Sequence, residues 1–201
     1  VVTQYYTMAI KDGAITFTPV AENPPSAQTL INVPYLSQLS ATASYAPGDC
    51  GAACLAMLIN WQGKQIVTVD DVSRATGQPL GYKALSFDAM IHAAAKFGLT
   101  LKHTYGFLAD DIDIEIQMGK PLIGLVNYQS IPPALRREAL YNAGHWIVVV
   151  GSDLTGITYH DPDWPDASGG ANKRMAAADF IKAFQAVAPG NALASHALVI
   201  R

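Results

Sequence analysis

The chain has 201 residues, with 13 Lys plus Arg against 16 Asp plus Glu, five His and a formal net charge of −3. That length suits one domain with its own core, and the charge balance lacks the basic excess that a phosphate backbone demands, so nucleic acid is not an expected partner. Half of the residues are apolar, yet the longest apolar runs, such as WIVVV from Trp146 to Val150, are far short of a bilayer span, and no transmembrane segment is expected.

The chain opens on VVTQYY, without an initiator Met or a basic n-region. This suits a trimmed mature form or a piece of a longer multidomain protein. The apolar-rich composition with an N-terminal appendage suits an exported or multidomain protein, so a secreted or cell-surface location is favoured over a cytoplasmic one. Two cysteines are too few for a disulfide framework and do not distinguish a reducing from an oxidising compartment.

Residues 1–30 read as an N-terminal appendage, with a weakly alternating strand at AITFTPV (14–20) and a Pro-rich linker in AENPPSAQT (21–29). Residues 31–201 read as the main domain. After the turn APGD, the Ala-, Leu- and Met-rich stretch from Cys50 to about Trp61 predicts a helix, with Gly48 and Asp49 suited to its entrance. A short helix follows at 68–76, capped by Thr68 and stopped by Gly77. Another runs from Ser86, its N-cap, to Phe97, with Gly98 as terminator.

The segment 109–121 carries both periods: Ile112, Ile114 and Ile116 alternate like a strand, whereas the acidic opening and Gly119 suit a helix, which is the reading preferred. PLIGLVNY (121–128) predicts a strand. Residues 145–163 predict an antiparallel hairpin around a Gly- and Asp-containing turn, 176–184 a helix and 195–201 a closing strand. Helices early and strands late indicate an α+β fold, a helical part packed on an antiparallel sheet.

Both cysteines fall on the first of these helices. Cys50 stands at its N-terminus, where unpaired N–H groups and the helix dipole favour a thiolate; Cys54, one turn inside and flanked by apolar residues, reads as a small buried hydrophobe. A disulfide between positions four apart on a helix would need distortion, and the CxxxC spacing departs from the tighter pairs of structural zinc sites. Neither a metal nor a nucleotide cofactor is expected, as no P-loop or dinucleotide fingerprint occurs.

A thiolate nucleophile needs a base and a group that orients the base. His145, opening one strand of the hairpin, and Asp161, ending the other in YHDPD, supply the residue types, and antiparallel pairing can bring them together. Taken alone, His145 would more often be structural and Asp161 a turn former; their joint occurrence with a helix-entry cysteine makes them candidates. Gln38, at the end of the strand-like VPYLSQ, is a candidate amide donor for an oxyanion, alongside the Cys50 N–H. His92, His103, His160 and His196 have no sequence neighbour that marks them for chemistry. Trp146, beside His145, and Trp164, after HDPD, read as cleft walls or as packing.

DCGAACLAM, with the upstream VPYLSQ and the downstream GHWIVVVG and YHDPD, resembles the bacteriocin-processing cysteine peptidase domain family of the papain-like superfamily, over residues of about 31 to 201. The resemblance implies a papain-like fold and peptide-bond hydrolysis of a peptide or protein substrate, with a related-fold amidase or acyltransferase on other amides, for example peptidoglycan, or a non-catalytic binding module as the alternatives. By motif position it implies Cys50 as nucleophile, His145 as general base, Asp161 as its orienting partner and Gln38 as oxyanion-hole residue. Members fused to export transporters cut leader peptides after a Gly-Gly pair. This chain has a longer interval between Gln38 and Cys50 than those members usually have.

Overall fold

The structure is a computed structural model that describes residues 6–11, 14–19, 29–40, 48–78, 84–187 and 195–201. Near the N-terminus, β1 (Tyr6–Lys11) and β2 (Ala14–Pro19) pair antiparallel as a two-stranded sheet of their own. The sequence pattern announced only the second of these strands. Residues 21–28 of the expected linker lie outside the described residues.

The main body begins with β3 (Thr29–Leu30), followed by α1 (Cys50–Gln62), α2 (Val69–Ala75) and α3 (Phe87–Lys96). Helix α1 is buried from Cys50 to Ile59, which explains a composition apolar on every side. Its neighbours are amphipathic and capped by side chains. Thr68 Oγ1 accepts from the Asp71 N–H at 3.2 Å and the Asp71 carboxylate accepts from the Thr68 N–H at 2.9 Å, a capping box. Ser86 Oγ accepts from the Ala89 N–H at 3.2 Å. After α3, Gly98 turns the chain into β4 (Leu101–Thr104).

The ambiguous acidic segment forms α4 (Ala109–Gln117). Ile112 and Ile116 are fully buried while Ile114 is 54% exposed, the spacing of a helix face rather than of a strand. The remaining elements are β5 (Leu122–Asn127), β6 (Gly144–Asp153), β7 (Gly156–His160), the short α5 (Ala167–Gly170), β8 (Lys173–Ala176), α6 (Ala177–Gln185) and β9 (His196–Ile200). Neither α5 nor β8 was legible in advance. Strand β8 lies at the sheet edge and buries only Met175 fully, so its four residues show no run of alternation.

Seven strands form one antiparallel sheet in the order β4-β9-β5-β6-β7-β8, with β3 added to the far end of β6. The fold is α+β, with helices against both faces of the sheet. Trp146, Val148 and Val150 of β6 join the core with α1, α2 and α3, while Ile147 and Val149 join the core with α4 and α6. Burial on both faces accounts for the uninterrupted apolar run of β6.

One irregularity of this sheet bears on function. Asp153 pairs with Gly156 across the tight turn, but the register shifts between Val149 and Gly151, so that Val148 pairs with His160. Without the extra residue, continuing the register would set Asp161 opposite Val148. With it, Asp161 continues opposite Ile147, which shares a face with His145 because side chains alternate along a strand.

Candidate active site

Cys50 is the first residue of α1 and is buried. Asp49 precedes it at the cap position, but its side chain does not cap the helix; the carboxylate accepts from Ser73 Oγ at 3.0 Å on α2. The positive end of the α1 dipole is thus aimed at the Cys50 thiol and at whatever approaches it. Gly51 lets the helix come close to the sheet, since a Cβ there would meet Trp146 Cδ1 at 3.1 Å and Leu85 Cβ at 3.3 Å. Both cysteines are free thiols. Cys54 is fully buried, and burial, aided by repulsion from Cys50 and Asp161, pushes its thiol well above the usual range.

The structure brings Cys50, His145 and Asp161 together. His145 Nε2 and Asp161 Oδ1 are 2.8 Å apart, with the two side chains 3% and 0% exposed. Cys50 lies near enough to the ring to help raise its pKa, and because Nε2 serves Asp161, Nδ1 is the nitrogen left to face the thiol. Burial by itself would drive the ring towards its neutral form. The Asp161 charge and hydrogen bond, supported by Cys50, outweigh burial and push the His145 pKa up from 6.5 to about 10. His145 sits one residue inside β6, and Asp161 lies just past the end of β7 rather than within it.

The Asp161 backbone is clamped as well. Its N–H donates to the Gly170 carbonyl at 2.8 Å, and its carbonyl accepts from the Tyr35 hydroxyl at 3.0 Å. The same hydroxyl reaches the Trp164 carbonyl at 2.6 Å. Gly170 is required by this packing: a Cβ there would run into the Tyr35 ring and lie 2.6 Å from the Asp161 carbonyl.

Gln38 does not end a strand. Residues 31–37 are irregular and Gln38 opens a 3₁₀ turn, Gln38–Ser40, which packs against α1. Its side chain is 4% exposed. Its backbone N–H donates to the Pro162 carbonyl at 2.9 Å, and its Nε2 donates to Asp163 Oδ1 at 3.4 Å. Gln38 is therefore tethered to the residues that immediately follow Asp161. The long stretch before Cys50 lies outside the described residues from 41 to 47.

Several residues around the site were not singled out by the sequence. Tyr128, at the end of β5, sets its ring 4.8 Å from that of His145 at 77° and donates its hydroxyl to Asp163 Oδ2 at 2.9 Å. Arg137 forks onto Asp163 through Nε to Oδ2 at 3.2 Å and Nη2 to Oδ1 at 2.9 Å. Asp163 in the DPD triplet was the one available signal. Trp146 is a packing residue, buried and in edge contact with Phe87, whereas Trp164 is partly exposed and carries the Lys173 ammonium over its ring.

The remaining histidines divide. His160 donates from Nε2 to the Val33 carbonyl at 2.9 Å and accepts at Nδ1 from the Asn172 N–H at 3.0 Å, and burial lowers its pKa, so it is a neutral structural ring. His103 meets His196 at 2.9 Å across the β4–β9 pair. His92 is exposed on α3.

A family model, the Peptidase_C39 like family, matches residues 30–190. Among solved structures, the chain is similar to a protein described as a C39-like peptidase from Bacillus anthracis at 15% identity and a TM-score of 0.62, covering 88% of this chain and 98% of that one. It is similar to the peptidase domain of Streptococcus ComA, a bi-functional ABC transporter involved in quorum sensing, at 16% identity and a TM-score of 0.57, covering 84% and 98%. A double glycine motif protease from an AMS/PCAT transporter, solved in complex with the leader peptide, matches at 17% identity and a TM-score of 0.55, covering 88% and 96%. Among curated proteins, none matches the chain. With this match spanning most of its length and this fold, the chain belongs to the Peptidase_C39 like family.

Proposed function

We propose that the protein is a cysteine peptidase in which Cys50 attacks the carbonyl of a peptide bond, His145 serves as general base and acid, Asp161 orients His145, and Gln38 helps to hold the oxyanion. The observation that carries this reading is the buried His145–Asp161 pair, 2.8 Å across, beside a cysteine at the start of a buried helix. A histidine held in its charged form beside a thiol favours the thiolate–imidazolium pair, which is the reactive state of such a nucleophile.

The cycle follows from these positions. The Cys50 sulfur adds to the carbonyl carbon, and the Cys50 backbone N–H and the Gln38 amide meet the developing negative charge. Imidazolium gives its proton to the leaving amine as the carbon–nitrogen bond breaks. Water, deprotonated by the now neutral ring, then cleaves the thioester and restores the thiol. The residues named need no added group for any of these steps.

Peptides are the substrate class that this reading assigns, with one structural neighbour solved in complex with a leader peptide. The test is a cleavage profile over a mixed peptide library, run with wild type and with Cys50→Ser. Cleavage at defined sequences that disappears in the variant supports the assignment. Cleavage that survives in Cys50→Ser refutes it.

A further inference from the structure

Three consecutive residues after β7 reach both halves of the site. Asp161 bonds the His145 ring, the Pro162 carbonyl accepts from the Gln38 backbone N–H, and Asp163 accepts from the Gln38 side chain. We propose that Asp163 is a positioning residue that fixes the amide of Gln38, so that one tripeptide sets the base and the oxyanion donor in register with each other. This proposal rests on the peptidase reading above.

The chemistry of Asp163 supports the role. An ionised carboxylate only accepts, and each of its two oxygens here takes two donors: Oδ1 from Gln38 Nε2 and Arg137 Nη2, Oδ2 from the Tyr128 hydroxyl and Arg137 Nε. The bidentate Arg137 fork balances its charge and holds it in one orientation. A fixed acceptor distinguishes the two ends of an amide. Turning Gln38 over would set its carbonyl oxygen against the carboxylate, so the carboxylate keeps the NH2 end in place, with one hydrogen bound and one left to donate.

A second observation agrees with this orientation. Gln38 Oε1 is buried and has no hydrogen-bond partner among the described residues. Buried amide oxygens are normally satisfied. Here the amide gains a contact for nitrogen at the expense of one for oxygen, as expected if the position of the NH2 group is what matters.

Arg137 and Tyr128 extend the anchor into the connection between β5 and β6. The Tyr128 hydroxyl accepts from the Arg137 N–H at 2.9 Å while it donates to Asp163, and its ring packs on His145. Asp163 thus joins the 3₁₀ turn of Gln38 to the wall behind the His145 ring. It touches no reacting atom.

The experiment is a double-mutant cycle of Gln38→Ala and Asp163→Ala in the full chain, on a peptide that wild type cleaves, with Cys50 alkylation by iodoacetamide followed in parallel against pH. Asp163→Ala should lower kcat by about 10- to 100-fold through misplacement of the donor, with little change in KM and an unchanged alkylation profile. The double variant should be no slower than Gln38→Ala alone, because the anchor has nothing left to position. Multiplying losses in the double variant, or a wild-type kcat in Asp163→Ala, would overturn the proposal. Should Asp163→Ala not fold, Asp163→Leu, close in shape and without any acceptor for the Gln38 amide, takes its place in the cycle with the same criteria.

Failure of the underlying reading has a separate signature, a wild-type kcat in Gln38→Ala. In that case the Gln38 side-chain NH2 resonances still decide the anchor: a change in their shifts on removing Asp163 supports it, and unchanged shifts overturn it.

Discussion

Replacing Asp161 with Asn tests the centre of the site, because it removes a charge while nearly preserving shape. Raising the His145 ring from 6.5 to about 10 corresponds to a preference for the charged ring on the order of 5 kcal/mol. The raising comes from Asp161 first and from Cys50 second, against the opposing effect of burial. With the carboxylate gone, burial is opposed only by Cys50, and the ring should be neutral at pH 7.

Asn also cannot reproduce the hydrogen bonding. Asp161 Oδ1 accepts from both His145 Nε2 and the Asp163 N–H, while Oδ2 is buried and without a hydrogen-bond partner among the described residues. If the Asn oxygen takes the Oδ1 place, its NH2 is a buried donor with no partner, a cost of about 1–3 kcal/mol. If the amide turns over, its NH2 faces Nε2 and forces the proton onto Nδ1, the nitrogen that should face the thiol. The second arrangement lowers kcat/KM by up to about 10⁴-fold, the size of loss that a wrong tautomer causes in a Ser-His-Asp triad.

The assay is an NMR titration of the His145 ring together with unfolding measured at several pH values. The folded-state pKa of His145 is raised, so its stabilising contribution is fully present below about 6.5 and is lost as pH rises towards about 10. The stability gap between wild type and Asp161→Asn should therefore be widest near pH 6 and narrow steadily up to pH 10. A wild-type ring that titrates near 6.5, or a gap that does not change between pH 6 and 10, would refute the reasoning.

Iodoacetamide at neutral pH should label Cys50 much faster than Cys54, whose buried thiol is pushed well above the usual range; peptide mapping by mass spectrometry reads the two sites, and equal slow labelling would remove Cys50 as nucleophile. Gln38→Ala should lower kcat by about 10² to 10³ with KM nearly unchanged, as measured by steady-state kinetics on a library-derived peptide. Gly170→Ala should destabilise the fold by about 1–3 kcal/mol in denaturant titration, because its Cβ would lie 2.6 Å from the Asp161 carbonyl and against Tyr35. The same variant should also lower kcat, as Asp161 moves away from His145.

The sequence by itself determined the local elements and the residue types of the site. The caps at Thr68 and Ser86 and the apolar α1 are written in short stretches whose physics is local, and so is the placement of Cys50 at a helix start. The closing strand was legible too, but that it pairs with β4 and β5 was not, because pairing between distant strands leaves no mark in either one. The same holds for the site. That Asp161 shares a face with His145 depends on one extra residue between Val149 and Gly151, and a one-residue slip would put the carboxylate on the other side of the sheet. Gln38 read as the end of a strand because VPYLSQ is apolar enough for one; its 3₁₀ turn and its tether come from Pro162 and Asp163, more than 120 residues away. The charge on His145 likewise belongs to the tertiary structure, since burial alone would leave the ring neutral and only the Asp161 carboxylate, brought beside it by the fold and supported by Cys50, outweighs burial and raises its pKa to about 10.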